Sequence, residues 1–215
     1  MTAPATNRGR GRPPLVDRDS VIDAAITLGF ANLTMTALAD ALGVRHSTLY
    51  RHVGGRDQLV RDAIDRVFDT TVWPTPPDDW RQYVRDFATT LVDVYLGNPG
   101  MAAELSRILR SSDALVRALN DFRSALLDRG LSPEDTVLLS ELITQLARNT
   151  SDYRRTEDGA SLSEEDVRQE MRTRLEDVAR GTDPRVREAL IAYNANDSRR
   201  NFEAKLALII RGIER

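Results

Sequence analysis

From Val21 to Ile213 the apolar side chains return every three or four residues, and no stretch alternates apolar with polar for long enough to make a strand. That period commits the chain to an all-α fold, and the breaks in it are chemical. Asp19-Ser20 stands ahead of Val21, Ile22, Ala24, Ala25, Ile26, Leu28 and Phe30, which predicts a first helix behind a capping residue. Thr34 caps a second through Leu42, and Gly43 turns it into a third near His46 to Val53, which Gly54-Gly55 ends. A fourth covers about Arg56 to Phe68, with Leu59, Ala63, Ile64 and Val67 on one face. Three prolines between Pro74 and Pro77 then mark a boundary, with Pro77 placed to open the next helix near Asp78.

Beyond the boundary the stripes lengthen. Trp80, Tyr83, Val84, Phe87, Leu91, Val94 and Tyr95 share one face up to Gly97-Asn98-Pro99-Gly100. Short helices are expected over Met101–Leu109 and Ala114–Arg129, and Ser132-Pro133-Glu134-Asp135 opens a long one reaching about Tyr153. Arg154–Leu162 reads as a loop, Ser163 as the start of a further helix, Asp183-Pro184 as the next, and Asp197 as the cap of the last, which ends near Ile213. The expected organisation is an arm over 1–17, a helix-turn-helix domain over 18–72 and a larger helical domain over 73–215.

Composition narrows the function. The 215 residues contain no Cys and two His, so thiol chemistry is absent and imidazole chemistry has two places to occur. His46 and His52 are six apart, about 240° around a helix, and cannot share a metal as an i,i+4 pair does. No phosphate-binding, nucleophile-elbow or dinucleotide motif is present. Neither enzyme activity, metal nor cofactor is expected. No apolar run approaches a membrane span and no secretory segment precedes Arg8, so the expected location is the cytoplasm. The net charge of -3 hides a basic arm, since Arg8, Arg10, Arg12 and Arg18 face Asp17 alone.

Residues 34–56 carry the functional signal. Ala39 is small enough for two helices to cross closely, Gly43 takes the turn, and Leu38, Leu42, Val44, Leu49 and Val53 fill the angle between them. His46, Ser47, Thr48, Tyr50, Arg51 and His52 remain on the outer side, a mix of hydroxyls, an aromatic ring and cations suited to a DNA major groove. On spacing alone, an ordinary helical hairpin with a polar face is the alternative.

The run Leu38-Ala-Asp-Ala-Leu-Gly-Val-Arg-His-Ser-Thr-Leu-Tyr-Arg-His-Val53, followed by Arg56, resembles the DNA-binding domain of the TetR (tetracycline-repressor) family. Trp80, Ser132-Pro133-Glu134 and the terminal segment from Phe202 to Glu214 extend the resemblance, the last toward the tetracycline-repressor branch. It implies that Thr36 and Thr48 reach DNA, that Tyr50 and His52 touch phosphate, and that Arg56 replaces a phosphate-binding Lys. His46 and Ser47 fall where geometry assigns base-edge reading. Met35 and Gly54-Gly55 depart from the family pattern. Arg8-Gly-Arg-Gly-Arg-Pro-Pro14 resembles an AT-hook, whose arginines lie in a narrow minor groove.

The resemblance also implies an effector pocket, for which Phe87, Leu91, Tyr95, Met101, Leu105, Phe122, Leu142 and Leu146 are the candidates. The type member's drug- and magnesium-contacting Asn and His fall on Phe87 and Leu105, which points away from a metal-chelated drug and toward an apolar or aromatic effector. Phe202, Leu206, Ile209 and Ile213, at four-three-four spacing, and Leu138 are the expected homodimer interface. The expected protein is a dimeric repressor released from a palindromic operator by a small molecule. The alternatives are a ligand-independent DNA-architectural protein, favoured by a sealed C-terminal core, and an interaction protein or enzyme homologue without DNA binding, favoured by burial of His46, Thr48 and Tyr50.

Overall fold

The computed structural model describes residues 16–108, 112–152 and 183–213, together with residues 166, 169, 170 and 173. Among them are ten α-helices and no strand: α1 (Arg18–Leu28), α2 (Met35–Leu42), α3 (His46–Val53), α4 (Arg56–Thr70), α5 (Trp80–Gly97), α6 (Met101–Arg107), α7 (Asp113–Leu127), α8 (Pro133–Asp152), α9 (Pro184–Ala195) and α10 (Ser198–Ile213). The basic arm with Arg8, Arg10 and Arg12, and the loop and helix expected over 154–182, lie outside the described residues, save those four isolated positions.

The caps explain most boundaries. Thr34 Oγ1 accepts from Ala37 N at 3.0 Å, Ser132 Oγ from Asp135 N at 3.0 Å, and Asp197 from Arg200 N at 2.7 Å, so each of these helices starts where its capping residue predicts. Two starts differ. Asp17 caps α1, accepting from Ser20 N at 2.8 Å while Ser20 Oγ accepts from Asp17 N at 3.0 Å, a reciprocal box one turn ahead of the expected cap. Pro77 does not open α5, because Asp79 accepts from Arg81 N at 3.0 Å and starts the helix at Trp80. Pro77 instead lies in the connecting strap, where Arg129, in the turn after α7, donates to the Pro77 and Pro76 carbonyls at 2.6 and 2.9 Å. Phe30 leaves the α1 stripe as well: Gly29, at φ +82°, ends the helix, and Phe30 opens a 3-10 turn.

Helix α1 packs on α2, α3 and α4, while α8 lies against α5, α7 and α10. Helix α4 joins the two groups by packing on α7, and the buried core runs without a break from Val21 to Ile210. Along α8 the inward stripe is Thr136, Leu139, Ser140, Ile143, Ala147 and Thr150. The opposite side leaves Val137, Leu138 and Leu142 exposed. Helix α9 has no buried residue at all. No helix among the described residues is long and apolar enough to cross a membrane.

Candidate nucleic-acid interface

Helices α2 and α3 meet at Gly43, whose left-handed conformation (φ +64°) permits a tight turn, and its N–H bonds back to the Asp40 carbonyl at 3.1 Å. Leu49 and Val53 anchor α3 in the core, at 0% and 2% exposure. That rotation fixes what faces outward. His46, Ser47, Tyr50 and Arg51 are exposed, and Thr48 and His52 are half-buried. Thr36, exposed on α2, stands beside α3: its Oγ1 lies 3.2 Å from His46 Nε2, and the His46 and Tyr50 rings are 6.2 Å apart. Hydroxyl, imidazole and phenol from two helices thus form one continuous outer patch. Met35 turns inward to 7% exposure, which removes it from this surface.

Arg56 is not on that patch. Its Nε donates to the Leu33 carbonyl at 3.0 Å, and its two Nη groups donate to Glu104 of α6 at 3.1 and 2.7 Å. Arg56 thus makes a bidentate pair between α4 and α6, the fork-on-fork geometry that a lysine could not make. Asp57, one residue on, accepts from Arg107 of α6 at 2.6 Å, and Arg107 also donates to Glu104 at 3.0 Å. Burial pushes the Glu104 carboxyl up, but the hydrogen bonds and charges of Arg56 and Arg107 outweigh it and hold the group below the usual carboxylate range. Further along α4, Asp65 accepts from Ser112 Oγ at 2.5 Å and Asp69 from Arg117 at 2.7 Å. The pairings of Arg56, Asp57, Asp65 and Asp69 with Glu104, Arg107, Ser112 and Arg117 are not legible in the sequence, because each joins residues 47 to 50 apart.

The candidates for an effector pocket divide. Phe87, Leu91, Tyr95, Met101 and Phe122 are shut off from water at 1% exposure or less. Leu142 is on the outer face of α8, not the inner, because Leu139 and Ile143 take the core positions on either side. Leu146 is half-buried against the core. Leu105 borders a cavity of about 140 Å³ between α4, α6 and α7, with Gln58, Arg61, Asp65 and Ser112 among its walls. The expected dimer seam on the last helix also turns inward: Phe202 and Leu206 are buried at 1% and 3%, and Ile209 and Ile213 pack against the core. Contact of α10 with α8 of the same chain explains the four-three-four spacing. Leu138 is exposed.

A helix-turn-helix with an exposed second helix, carried on a larger body whose described residues form helices and no strand, is the arrangement of a protein of the transcription-regulator class. Residues 22–63 match the tetR family of bacterial regulatory proteins, and the chain is similar to regulators of that family. An HTH-type transcriptional regulator of Saccharopolyspora erythraea is 34% identical over 111 residues, covering 49% of this chain and 47% of that one. The matched stretch thus spans less than half of that relative. Tetracycline repressor protein class D of Escherichia coli is 24% identical over 93% of this chain and 89% of its own. The fold is shared with the TetR family protein ActR of Streptomyces coelicolor, solved in complex with (S)-DNPA: TM-score 0.72, 22% identity, 93% of this chain and 97% of that one.

Proposed function

We propose that the chain is a homodimeric, sequence-specific DNA-binding repressor, released from a palindromic operator by a small apolar or aromatic effector. The carrying observation is the outward patch of Thr36 on α2 with His46, Ser47 and Tyr50 on α3, the helix that Leu49 and Val53 anchor in the core. His46 and Ser47 read base edges, while Thr36, Thr48, Tyr50 and His52 position the helix on the backbone. The arm at Arg8, Arg10 and Arg12 adds minor-groove or phosphate contacts. Exposure of His46 and Tyr50 argues against a homologue that has lost DNA binding.

Dimerisation is supported by exposed apolar side chains that no part of the described chain covers: Val137, Leu138 and Leu142 on α8, and Val186, Leu190 and Ile191 on α9. A 12-residue helix without buried residues gains little from its own propensity, and a second subunit supplies the missing surface. The effector reading draws on ActR, which has been solved with (S)-DNPA and with actinorhodin. Ion pairs from α4 to α6 and α7 would carry a change in the helical body to the reading head. A ligand-independent DNA-architectural protein is the second reading, favoured by the burial of Phe87, Leu91, Tyr95, Met101 and Phe122.

Selection of bound fragments from genomic DNA tests the first claim. The expected result is a two-fold symmetric consensus whose half-site preference is relaxed in His46→Ala or Ser47→Ala at about 1–3 kcal/mol, whereas Tyr50→Ala weakens all sequences alike. Recovery of fragments with no common sequence would leave the architectural reading.

A further inference from the structure

The interior between the two groups of helices contains a ladder of four rings. Phe68 of α4 and the Trp73 indole of the strap are parallel within 17° with centroids 6.4 Å apart. Trp73 lies 4.7 Å from Phe87 of α5 at 20°, and Phe87 lies 4.2 Å from Phe122 of α7 at 24°. The indole thus has two near-parallel ring neighbours, Phe87 of the C-terminal body close by and Phe68 of the N-terminal helices farther off. The ladder is not uniformly buried. Phe68, Phe87 and Phe122 are at most 1% exposed, while Trp73 is half-buried and follows Val72, which is 90% exposed. Trp73 is thus the rung with a path to water, and it belongs to a connecting segment rather than to a helix.

We infer that the Trp73 indole is an internal occupant of a binding slot for planar aromatic molecules, and that such a ligand takes its place between Phe68 and Phe87. This rests on the effector reading above and deepens it by giving the ligand class and the entry point. A slot with two parallel ring walls selects flatness, because stacked area falls steeply for a puckered guest of equal size. Displacement is a swap of one ring for another, so the core packing around Phe122 survives it. The strap remains tied further along by Arg129, which donates to the Pro76 and Pro77 carbonyls. Only the segment ahead of Pro76 has to swing out. The slot's two walls sit on α4 and α5, so whatever fills it sets their separation.

The closed slot lowers apparent affinity by the fraction of molecules in which it stands open. With the indole out in about a tenth of them, removing it tightens binding about tenfold. The probe is acridone, a flat neutral tricycle, against dicyclohexyl ketone, which is apolar but puckered. In the full chain bearing Trp80→Phe, Trp73 is the sole tryptophan. Acridone is expected to move its emission to longer wavelength and at least double its quenching by acrylamide, while the ketone does neither. Trp73→Ala should bind acridone about tenfold tighter by calorimetry, and Trp73→Leu, which keeps apolar bulk if the alanine variant folds poorly, should also bind it more tightly. Binding with Trp73 emission unmoved, equal binding of both probes, or no tightening in either variant overturns the inference, as does failure of every form to bind acridone. A compound that releases operator DNA without moving Trp73 emission overturns the slot and leaves the effector reading intact. Acridone that ejects Trp73 without altering operator affinity supports the slot and removes the effector reading.

Discussion

Arg56 holds both carboxylate oxygens of Glu104, at 3.1 and 2.7 Å, and so fastens the first turn of α4 to α6 across 48 residues of chain. The Glu104 side chain is 13% exposed and that of Arg56 32%, which places the pair between a surface bridge and a buried one. Arg56→Ala leaves Glu104 with Arg107 alone and frees the Leu33 carbonyl. A loss of about 1–2 kcal/mol is expected, read by urea denaturation. If operator affinity instead fell with stability unchanged, Arg56 would be a phosphate contact after all.

The same pair gives a pH dependence with a definite sign. The Glu104 carboxyl titrates below its ordinary 4.5 in the fold, so the unfolded chain takes up the proton first as pH falls. The stabilisation is complete above about pH 4.5 and disappears as pH drops through the lowered folded value. Asp57, lowered chiefly by its hydrogen bond from Arg107, works in the same direction over the same acid range. Thermal melts of Glu104→Gln should show a shallower loss than the parent as pH falls below about 4.5, with the two curves converging at the acid end.

Gly100 sits at φ +88°, and a Cβ there would lie 2.6 Å from the Ala31 nitrogen and 2.9 Å from its Cα. The Ala31 N–H donates to the Pro99 carbonyl at 3.1 Å, so backbone meets backbone at the second point where α6 touches the N-terminal helices. Neither side can yield like a flexible side chain. Gly100→Ala is expected to cost about 1–3 kcal/mol, whereas alanine at Gly97, with open space around it, should cost nothing comparable. Paired melting curves decide the point.

What the sequence disclosed followed local chemistry. Caps at Thr34, Ser132, Asp183 and Asp197 and the turn at Gly43 are decided within four residues, and periodicity placed Leu49 and Val53 inside and His46 and Tyr50 outside. Periodicity states that a stripe is covered, however, and not by what. Phe202 and Leu206 make a seam suited to a partner subunit, yet α8 of the same chain covers them. The motif gives Arg56 a place beside DNA, but its pairing with Glu104 is announced by nothing near it in sequence. The stack on Trp73 was hidden for the same reason: its rings come from three helices and a strap.

Deleting residues 1–12 should act through charge. Three arginines per subunit neutralise phosphates at about 0.9 in the slope of log K against log salt for each, so the slope of a dimer should flatten by up to about 5. Sequence preference should hold, because the proposed reading gives the base contacts to α3 and not to the arm. An unchanged slope over a salt titration of operator binding would remove the arm from the interface.

The exposed stripe of α8 separates folding from assembly. Leu138 and Leu142 are 61% and 46% exposed, so an acidic side chain at either position meets water in the monomer and should leave its stability within about 0.5 kcal/mol. In an apolar subunit interface the same charge is desolvated without a partner, a penalty of several kcal/mol counted once in each subunit. Leu138→Asp is therefore expected to sediment as a folded monomer and to lose most of its operator affinity, since one reading head makes half the contacts. Phe202→Ala should do the reverse. It removes a ring at 1% exposure from the α8–α10 contact, costs about 3–5 kcal/mol of fold stability, and leaves association of the remaining folded chains intact. Sedimentation velocity beside chemical denaturation distinguishes the two; a dimer that survives Leu138→Asp but falls apart with Phe202→Ala would return the interface to the last helix.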